Sequence, residues 1–401
     1  MTRIDDYRQV APPGAVDIIL KLAERVRGRS LLHLSGGRFG AGAPEALQTL
    51  VPLLNDVGVD AAWEITGGDP LFYATSSALH AALEGGERVL DDEALGHWVE
   101  MNRINAKKLK LEGDVVVVHD VEPASLVGSR PEGGRWLWEC HFDCSTSQRR
   151  AWSVFRTFVD QYDGAIFALP RFGRRLGNPQ YVIQPSIDPL SDKNRVLSPV
   201  EVARILQALA IPQDRPLLVQ IGRFTRGADP LGVVNAYRLV KKQHPVRLVL
   251  AGTAGEDAES AAVLSELRRA ADHDSDIFVR ELPPDAQLQI NAIQRAATLV
   301  LHKSIQGGFG LGAAEAMWKG KPVVGGFAGG LTQQIIYGVT GYTVHSVEGA
   351  AFRVRHLLNN PEIAARMGAA GRELARRQFL VTRHLTDYLA LLIHLTRDRT
   401  S

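Results

Sequence analysis

The chain has 401 residues, 45% of them apolar and 22% charged, with a formal net charge of +2. That is a globular composition with room for two α/β domains of ordinary size, and its balanced charge, without long single-sign blocks, excludes a dedicated nucleic-acid surface. No apolar run approaches the roughly 18–20 residues that span a bilayer, and the acidic opening Met1-Thr-Arg-Ile-Asp-Asp-Tyr has no apolar core of a secretory signal, so a cytoplasmic setting without membrane contact is expected.

Leu31-Leu-His-Leu predicts the first strand. It is followed by the loop Ser35-Gly-Gly-Arg-Phe-Gly-Ala-Gly-Ala-Pro-Glu and a helix from about Pro44 to Val57. Glycines permit positive φ and close backbone approach, and Pro44 suits a first helical turn. The loop therefore reads either as a helix amino end offered to an anion or sugar hydroxyl, or as a plain βα turn. Val115-Val-Val-Val-His is a strand apolar enough to be buried on both faces, and Ala165-Ile-Phe-Ala-Leu is a third. Between these lies Cys140-His-Phe-Asp-Cys144, which holds the only two cysteines. A zinc site usually draws ligands from two separated clusters. One short segment does not supply them, so buried reduced thiols are expected and no metal ligand is assigned.

Gln184-Pro-Ser-Ile-Asp-Pro-Leu-Ser is rich in proline and polar residues and predicts a linker. A second series of strands follows: Pro216–Ile221, Arg247–Gly252, Ile277–Arg280, Leu299–Leu301 and Pro322–Val324. Helices are expected between them at Val234–Lys242, Ser260–Ala271 and Asp285–Ala297. A last helix is expected over about Val381–Leu395. Alternating strands and helices imply parallel sheets with helices on both faces. The fold class is α/β, with two Rossmann-like domains facing a central cleft. The boundaries are 1–190, joined by the carboxyl-terminal segment 380–401, and 191–379. Ligands of such sheets sit beyond the carboxyl ends of the strands, which directs attention to the loops there.

The most specific loop is Lys303-Ser-Ile-Gln-Gly-Gly-Phe-Gly-Leu-Gly-Ala-Ala-Glu-Ala-Met-Trp-Lys-Gly-Lys-Pro. It follows a strand and opens a helix, so N–H groups around Gly308, Phe309, Gly310 and Leu311 would face a phosphate at the positive helix end. Glu315, one turn in, can accept both hydroxyls of a ribose. Ile221-Gly-Arg-Phe-Thr-Arg-Gly-Ala-Asp-Pro places Arg223 and Arg226 after the first strand of the second series. There they could neutralise a diphosphate leaving group, or simply be surface arginines.

Together these loops resemble glycosyltransferase family 4, and within it the trehalose glycosyltransferring synthases. Trp138-Glu-Cys-His-Phe-Asp is similar to that branch's Trp-Arg-Cys-His-Ile-Asp segment. Pro185-Ser-Ile-Asp-Pro-Leu-Ser-Asp-Lys-Asn resembles its linker, and Glu315-Ala-Met-Trp-Lys-Gly-Lys-Pro-Val its ribose-binding helix. The resemblance implies a GT-B fold, no cofactor or metal requirement, and retaining transfer from a nucleoside-diphosphate sugar to a small sugar acceptor. The final helix would return to the first domain, and a homodimer is possible. By the same resemblance His141 and Arg223 are catalytic, with His141 beside the transferred ring. The donor side comprises Gly40, Gly42, Arg223, Arg226, Lys303, Gly307, Gly308, Phe309, Gly310, Leu311 and Glu315. The acceptor side comprises His80, Asp120, Glu122 and Glu139.

The pattern also departs from the family. The glutamate expected eight residues before Glu315 is Gly307, and the arginine before it is Gln306. The diphosphate lysine falls on Ala228. The arginine of Trp-Arg-Cys-His is Glu139, and the glutamine of Asp-Pro-Gln-Pro is Glu122. Three readings follow: a trehalose-synthase-like transferase with an altered donor or acceptor; a pseudo-glycosyltransferase joining a nucleotide-activated cyclitol to an amino sugar through a C–N bond; and a non-catalytic nucleotide-sugar binder.

Overall fold

The computed structural model describes residues 2–38, 42–253 and 258–397. The chain divides into two compact units, Met1–Ser186 together with Val381–Ser401, and Ile187–Leu380.

The first unit is built on a six-stranded sheet. Its strands are β1 (Ser30–Ser35), β2 (Asp60–Ile65), β3 (Val115–His119), β4 (Arg135–Cys140), β5 (Gly164–Phe167) and β6 (Gln180–Val182), in the order β2-β1-β3-β4-β5-β6. Every pairing is parallel. The central strand β3 is sealed on both faces, which is why Val115–Val118 can be uniformly apolar. The helix Val381–Thr396 belongs to this unit. It buries Leu385, Tyr388, Leu389 and Leu392, and its His384 Nδ1 lies 2.9 Å from the Ser186 hydroxyl.

The second unit repeats the plan with β7 (Leu217–Ile221), β8 (Arg247–Gly252), β9 (Ile277–Glu281), β10 (Leu299–His302), β11 (Val323–Gly326) and β12 (Gly341–Val344). The order is β12-β11-β10-β7-β8-β9, again all parallel. Its core joins Leu218, Leu248, Leu250 and Val324 of the sheet to Val233, Tyr237 and Val354 of the covering helices. The strand order reverses between β1 and β3 in one unit and between β7 and β10 in the other. The carboxyl ends of strands flanking such a reversal leave a crevice.

The helix expected from Val234 starts earlier, at Pro230. The cause is local: Asp229 adopts φ 48° and its carboxylate accepts the Gly232 N–H at 3.0 Å, while Pro230 presets the first turn. The short edge strands β6 and β12 and the helices Pro70–Leu83, Asp92–Ala106 and Arg149–Val159 add to the elements expected from sequence.

Two glycines give a test of this packing. A Cβ on Gly252 would lie 1.6 Å from the Gly222 carbonyl oxygen, whereas nothing lies within 4 Å of one on Gly96 in the exposed face of helix Asp92–Ala106. Gly252→Ala is expected to lower stability by more than about 2 kcal/mol, and Gly96→Ala to raise it by about 0.5–1 kcal/mol. Denaturant midpoints check both; a neutral Gly252→Ala would mean that the β7 and β8 ends are not in backbone contact.

Candidate functional site

In the first unit, polar side chains gather where β1, β3 and β4 end. His33 is level with Val117, and His119, two residues on, is level with Glu139. Residues two apart share a face of a strand, so His33, His119 and Glu139 point to one side of the sheet. His33 Nδ1 lies 2.9 Å from His119 Nε2, and His119 Nδ1 lies 3.1 Å from His141 Nε2. Glu139 Oε2 is 3.4 Å from His119 Nδ1, and Oε1 is 3.9 Å from His141 Nε2. The Tyr388 hydroxyl donates to the Glu139 carboxylate. Burial pushes His33 down to about 3, with nearby His141 adding to the effect. Burial also holds His119 well below its usual range. The same burial raises Glu139, against the opposing pull of His141 and the Tyr388 hydroxyl.

The remaining first-unit candidates flank this group. Asp120 stands at φ 61°, an αL position that aspartate tolerates better than most residues. Its carboxylate accepts the His141 N–H at 3.0 Å, and its own N–H donates to the Glu139 carbonyl at 2.9 Å. Glu122 covers Gly36 so closely that a Cβ there would lie 2.5 Å from Glu122 Cγ. Burial, followed by the charge of Asp120, raises Glu122. His80 packs on Phe142 with ring centroids 4.2 Å apart and lies 3.5 Å from Glu84. Burial opposes its protonation, but Glu84, Asp120 and Glu122 outweigh it, so His80 titrates above its usual range. Cys140 and Cys144 are buried free thiols with sulfurs 3.4 Å apart, and burial raises Cys140. Gly42 opens the helix Ala43–Asp56 at φ 86°. Gly40 lies outside the described residues.

In the second unit, the loops after β7 and β10 are tied to each other. The N–H groups of Ile305 and Gln306 donate to the Gly227 carbonyl at 2.8 and 3.2 Å. This holds the Arg223–Ala228 turn beside the run Lys303–Gly310. That run enters the helix Leu311–Trp318 through Gly310 at φ 83°, and it is braced from behind: the Gly330 N–H donates to the Gly308 carbonyl at 3.0 Å. A Cβ on Gly329 would lie 2.1 Å from the Gly308 oxygen. Glu315 is buried one turn into the helix, and Lys193 Nζ lies 2.8 Å from its carboxylate. His302, beneath Gly310 and Gly312, is lowered to about 4 by burial, with Glu315 opposing.

The candidate cations of this unit differ in their surroundings. Lys303 is buried and bonded to Asp229. Arg226 is exposed, and its guanidinium donates to both oxygens of Glu266. Arg223 stands between β7 and Phe224, within the turn held by Gly227. At the family lysine position, the Ala228 carbonyl accepts from Gln220 Nε2 at 2.8 Å.

Sequence reasoning did not single out His33, His119, Lys193, Asp229 or Tyr388. For the first two the signal existed: a histidine inside Leu-Leu-His-Leu, and one closing Val-Val-Val-Val-His, are polar residues in buried strands.

Two six-stranded parallel sheets covered by helices have the GT-B fold, and the likeness to known proteins gives the class, a glycosyltransferase. Residues 33–174 match the family described as "Trehalose synthase, N-terminal domain", and residues 202–374 match "Glycosyl transferases group 1". The trehalose synthase of Pyrococcus horikoshii is 37% identical over 97% of this chain and 96% of its own length. That of Rubrobacter xylanophilus is 36% identical over the same shares. Among solved structures, sucrose-phosphate synthase from Thermosynechococcus elongatus superposes with a TM-score of 0.72 at 17% identity, covering 92% of this chain and all of that one. The chain belongs to the trehalose synthase family of group 1 glycosyltransferases. Among the described residues, no helix is long and apolar enough to cross a membrane.

The His302 position sets a pH dependence. The folded state keeps this imidazole neutral down to about 4, whereas the unfolded chain protonates it near 6.5. Its contribution is therefore complete above pH 6.5 and is lost as pH falls from 6.5 toward 4. His302 keeps partial solvent exposure, so about 2 kcal/mol is the expected size. Between pH 7 and pH 4.5, His302→Gln is expected to lose less stability than the parent. Equal losses in denaturant titrations would refute the assignment.

Proposed function

We propose that the protein transfers a sugar from a nucleoside-diphosphate donor to a small sugar acceptor with retention at the anomeric carbon. The observation that carries this reading is the joining of the β7 and β10 loops at Gly227, directly before a helix amino end with a buried carboxylate one turn in. A diphosphate at that end would meet first-turn N–H groups and the positive helix terminus. In this reading Arg223 and the N–H groups of Gly308–Leu311 hold the diphosphate, and Glu315 accepts the ribose hydroxyls. Lys193 holds that carboxylate in place. As the donor bond breaks, negative charge builds on the leaving phosphate, and these groups stabilise it without reorganising. The acceptor attacks from the same face, so no protein nucleophile is needed. His141 stands beside the transferred ring, and His80, Asp120 and Glu122 serve the acceptor. The trehalose synthases named above are the relatives that support this substrate class.

A second reading, C–N bond formation between a nucleotide-activated cyclitol and an amino sugar, is favoured by two features. Gly307 adopts φ 139°, a backbone state that an L-residue rarely takes, so the ring-binding glutamate of the family is replaced by a different local backbone. In the first unit, burial and then the neighbouring charge of Asp120 raise Glu122, a strain that a cationic amine would relieve.

The protein, supplied with a panel of nucleotide sugars and glucose, is expected to form a non-reducing disaccharide detectable by mass. Turnover only with a nucleotide-linked cyclitol and an amino sugar would establish the second reading, and nucleotide binding without turnover on either panel a binder. Arg223→Ala is expected to lower kcat/KM by roughly tenfold to a hundredfold, whereas Arg226→Ala, whose partner is Glu266, should change it less than about threefold. Glu315→Gln should weaken nucleotide binding at least about tenfold with the thermal midpoint monitored in parallel. Unchanged affinity in that variant would remove the ribose assignment.

A further inference from the structure

We propose that His119, Glu139 and His141 form a binding site for a first-row divalent cation of the Zn2+ type. Their donor atoms lie within 4.8 Å of one another. His119 Nδ1 lies 3.1 Å from His141 Nε2 and 3.4 Å from Glu139 Oε2, while the other carboxylate oxygen, Oε1, lies 3.9 Å from His141 Nε2. Ligands at roughly 2.0–2.1 Å from a tetrahedral Zn2+ stand about 3.3 Å apart, so the two edges that meet at His119 Nδ1 already have nearly the length of a coordination-face edge. Two imidazoles and a carboxylate with a fourth position open is a ligand set of borderline softness. It suits Zn2+ and its neighbours rather than Mg2+ or Ca2+, which demand six or more oxygens.

Three further features support the site. Glu139 is 3% exposed, and among the described residues no lysine or arginine is paired with it; the ion-pair partners are His119 and His141. A carboxylate buried this way is costly without a compensating charge, and a divalent cation supplies one. Each ligand is also held from behind. His33 Nδ1 meets His119 Nε2, so that an Nε2–H donated to His33 leaves the His119 Nδ1 lone pair facing the triangle. Tyr388 donates to Glu139, and Asp120 accepts the His141 N–H. Finally, His141 is the least buried of the three, with a side chain 13% exposed, which places the open position and the entry path on its side.

The test uses the full chain stripped with EDTA and then dialysed against Zn2+. One Zn2+ per chain is expected by elemental analysis, and Co2+ in its place should give the intense visible absorption of a four-coordinate centre. Glu139→Gln should weaken Zn2+ binding at least about a hundredfold and Tyr388→Phe about tenfold. The pair Cys140→Ser and Cys144→Ser should leave both affinity and Co2+ spectrum unchanged, because the ligands are nitrogen and oxygen. Zn2+ retained undiminished by Glu139→Gln, a Co2+ spectrum with sulfur charge-transfer bands, or the weak spectrum of six-coordinate Co2+ would each overturn the proposal. The cobalt spectrum is read on the parent chain and so decides the question even if a variant fails to fold.

Discussion

A parallel strand sealed on both faces leaves a polar side chain one refuge, which is another polar side chain at the same level of the sheet. That constraint organises the first unit. His33, His119 and Glu139 sit on three adjacent strands, each among apolar residues, and each solves its burial through a neighbour. The in-register pairing of His119 with Glu139 puts an imidazole beside a carboxylate without any loop having to deliver it. His141, one residue beyond β4, joins them because Asp120 clamps its N–H. The last helix then closes the set with Tyr388. A site built this way on strand ends inherits the rigidity of the sheet, which suits groups that must hold their geometry while a substrate comes and goes.

The second unit meets the opposite requirement. An anion wants backbone N–H groups, so the chain must bring main chain close to main chain without side chains intervening. Gly329 and Gly330 lie directly behind Gly308 and Phe309, at contacts where any Cβ would collide. Gly252 does the same for Gly222. The resulting shape depends on glycine-to-backbone contacts and on the Gly227 carbonyl, which accepts from two successive N–H groups. Charged side chains are used here chiefly as struts. Lys303 fixes Asp229, which in turn caps a helix, and Lys193 fixes Glu315.

Much of this was legible from residue pattern. The long apolar strands, the glycine turns and the helix holding Glu315 follow from periodicity and turn chemistry, because local preference and final environment agree there. The short strand β6 is three residues long, too short for an alternation to register. The histidine–glutamate group was not legible for a different reason. His33, His119 and His141 are separated by 86 and 22 positions, and only strand order and register bring them together. Arg226 and Lys303 illustrate the same limit, since a cation in a loop looks alike in sequence whether it faces a ligand or an internal carboxylate.

The departures from the family pattern then acquire a direction. By the resemblance, Gln306, Gly307 and Ala228 of the second unit stand where the family has charged residues; here Ala228 offers main chain, and Gly307 a backbone bend. By the same resemblance the exchange in the first unit runs the other way, with Glu139 at an arginine position and Glu122 at a glutamine position. Both changes add negative charge beside Asp120, where burial already makes a carboxylate costly. Each acid is answered from nearby: His119, His141 and the Tyr388 hydroxyl meet Glu139, and against its burial His80 is held above its usual range by Glu84, Asp120 and Glu122. The chemistry of the group is therefore one of buried acids set among imidazoles, an environment that favours positive charge over negative.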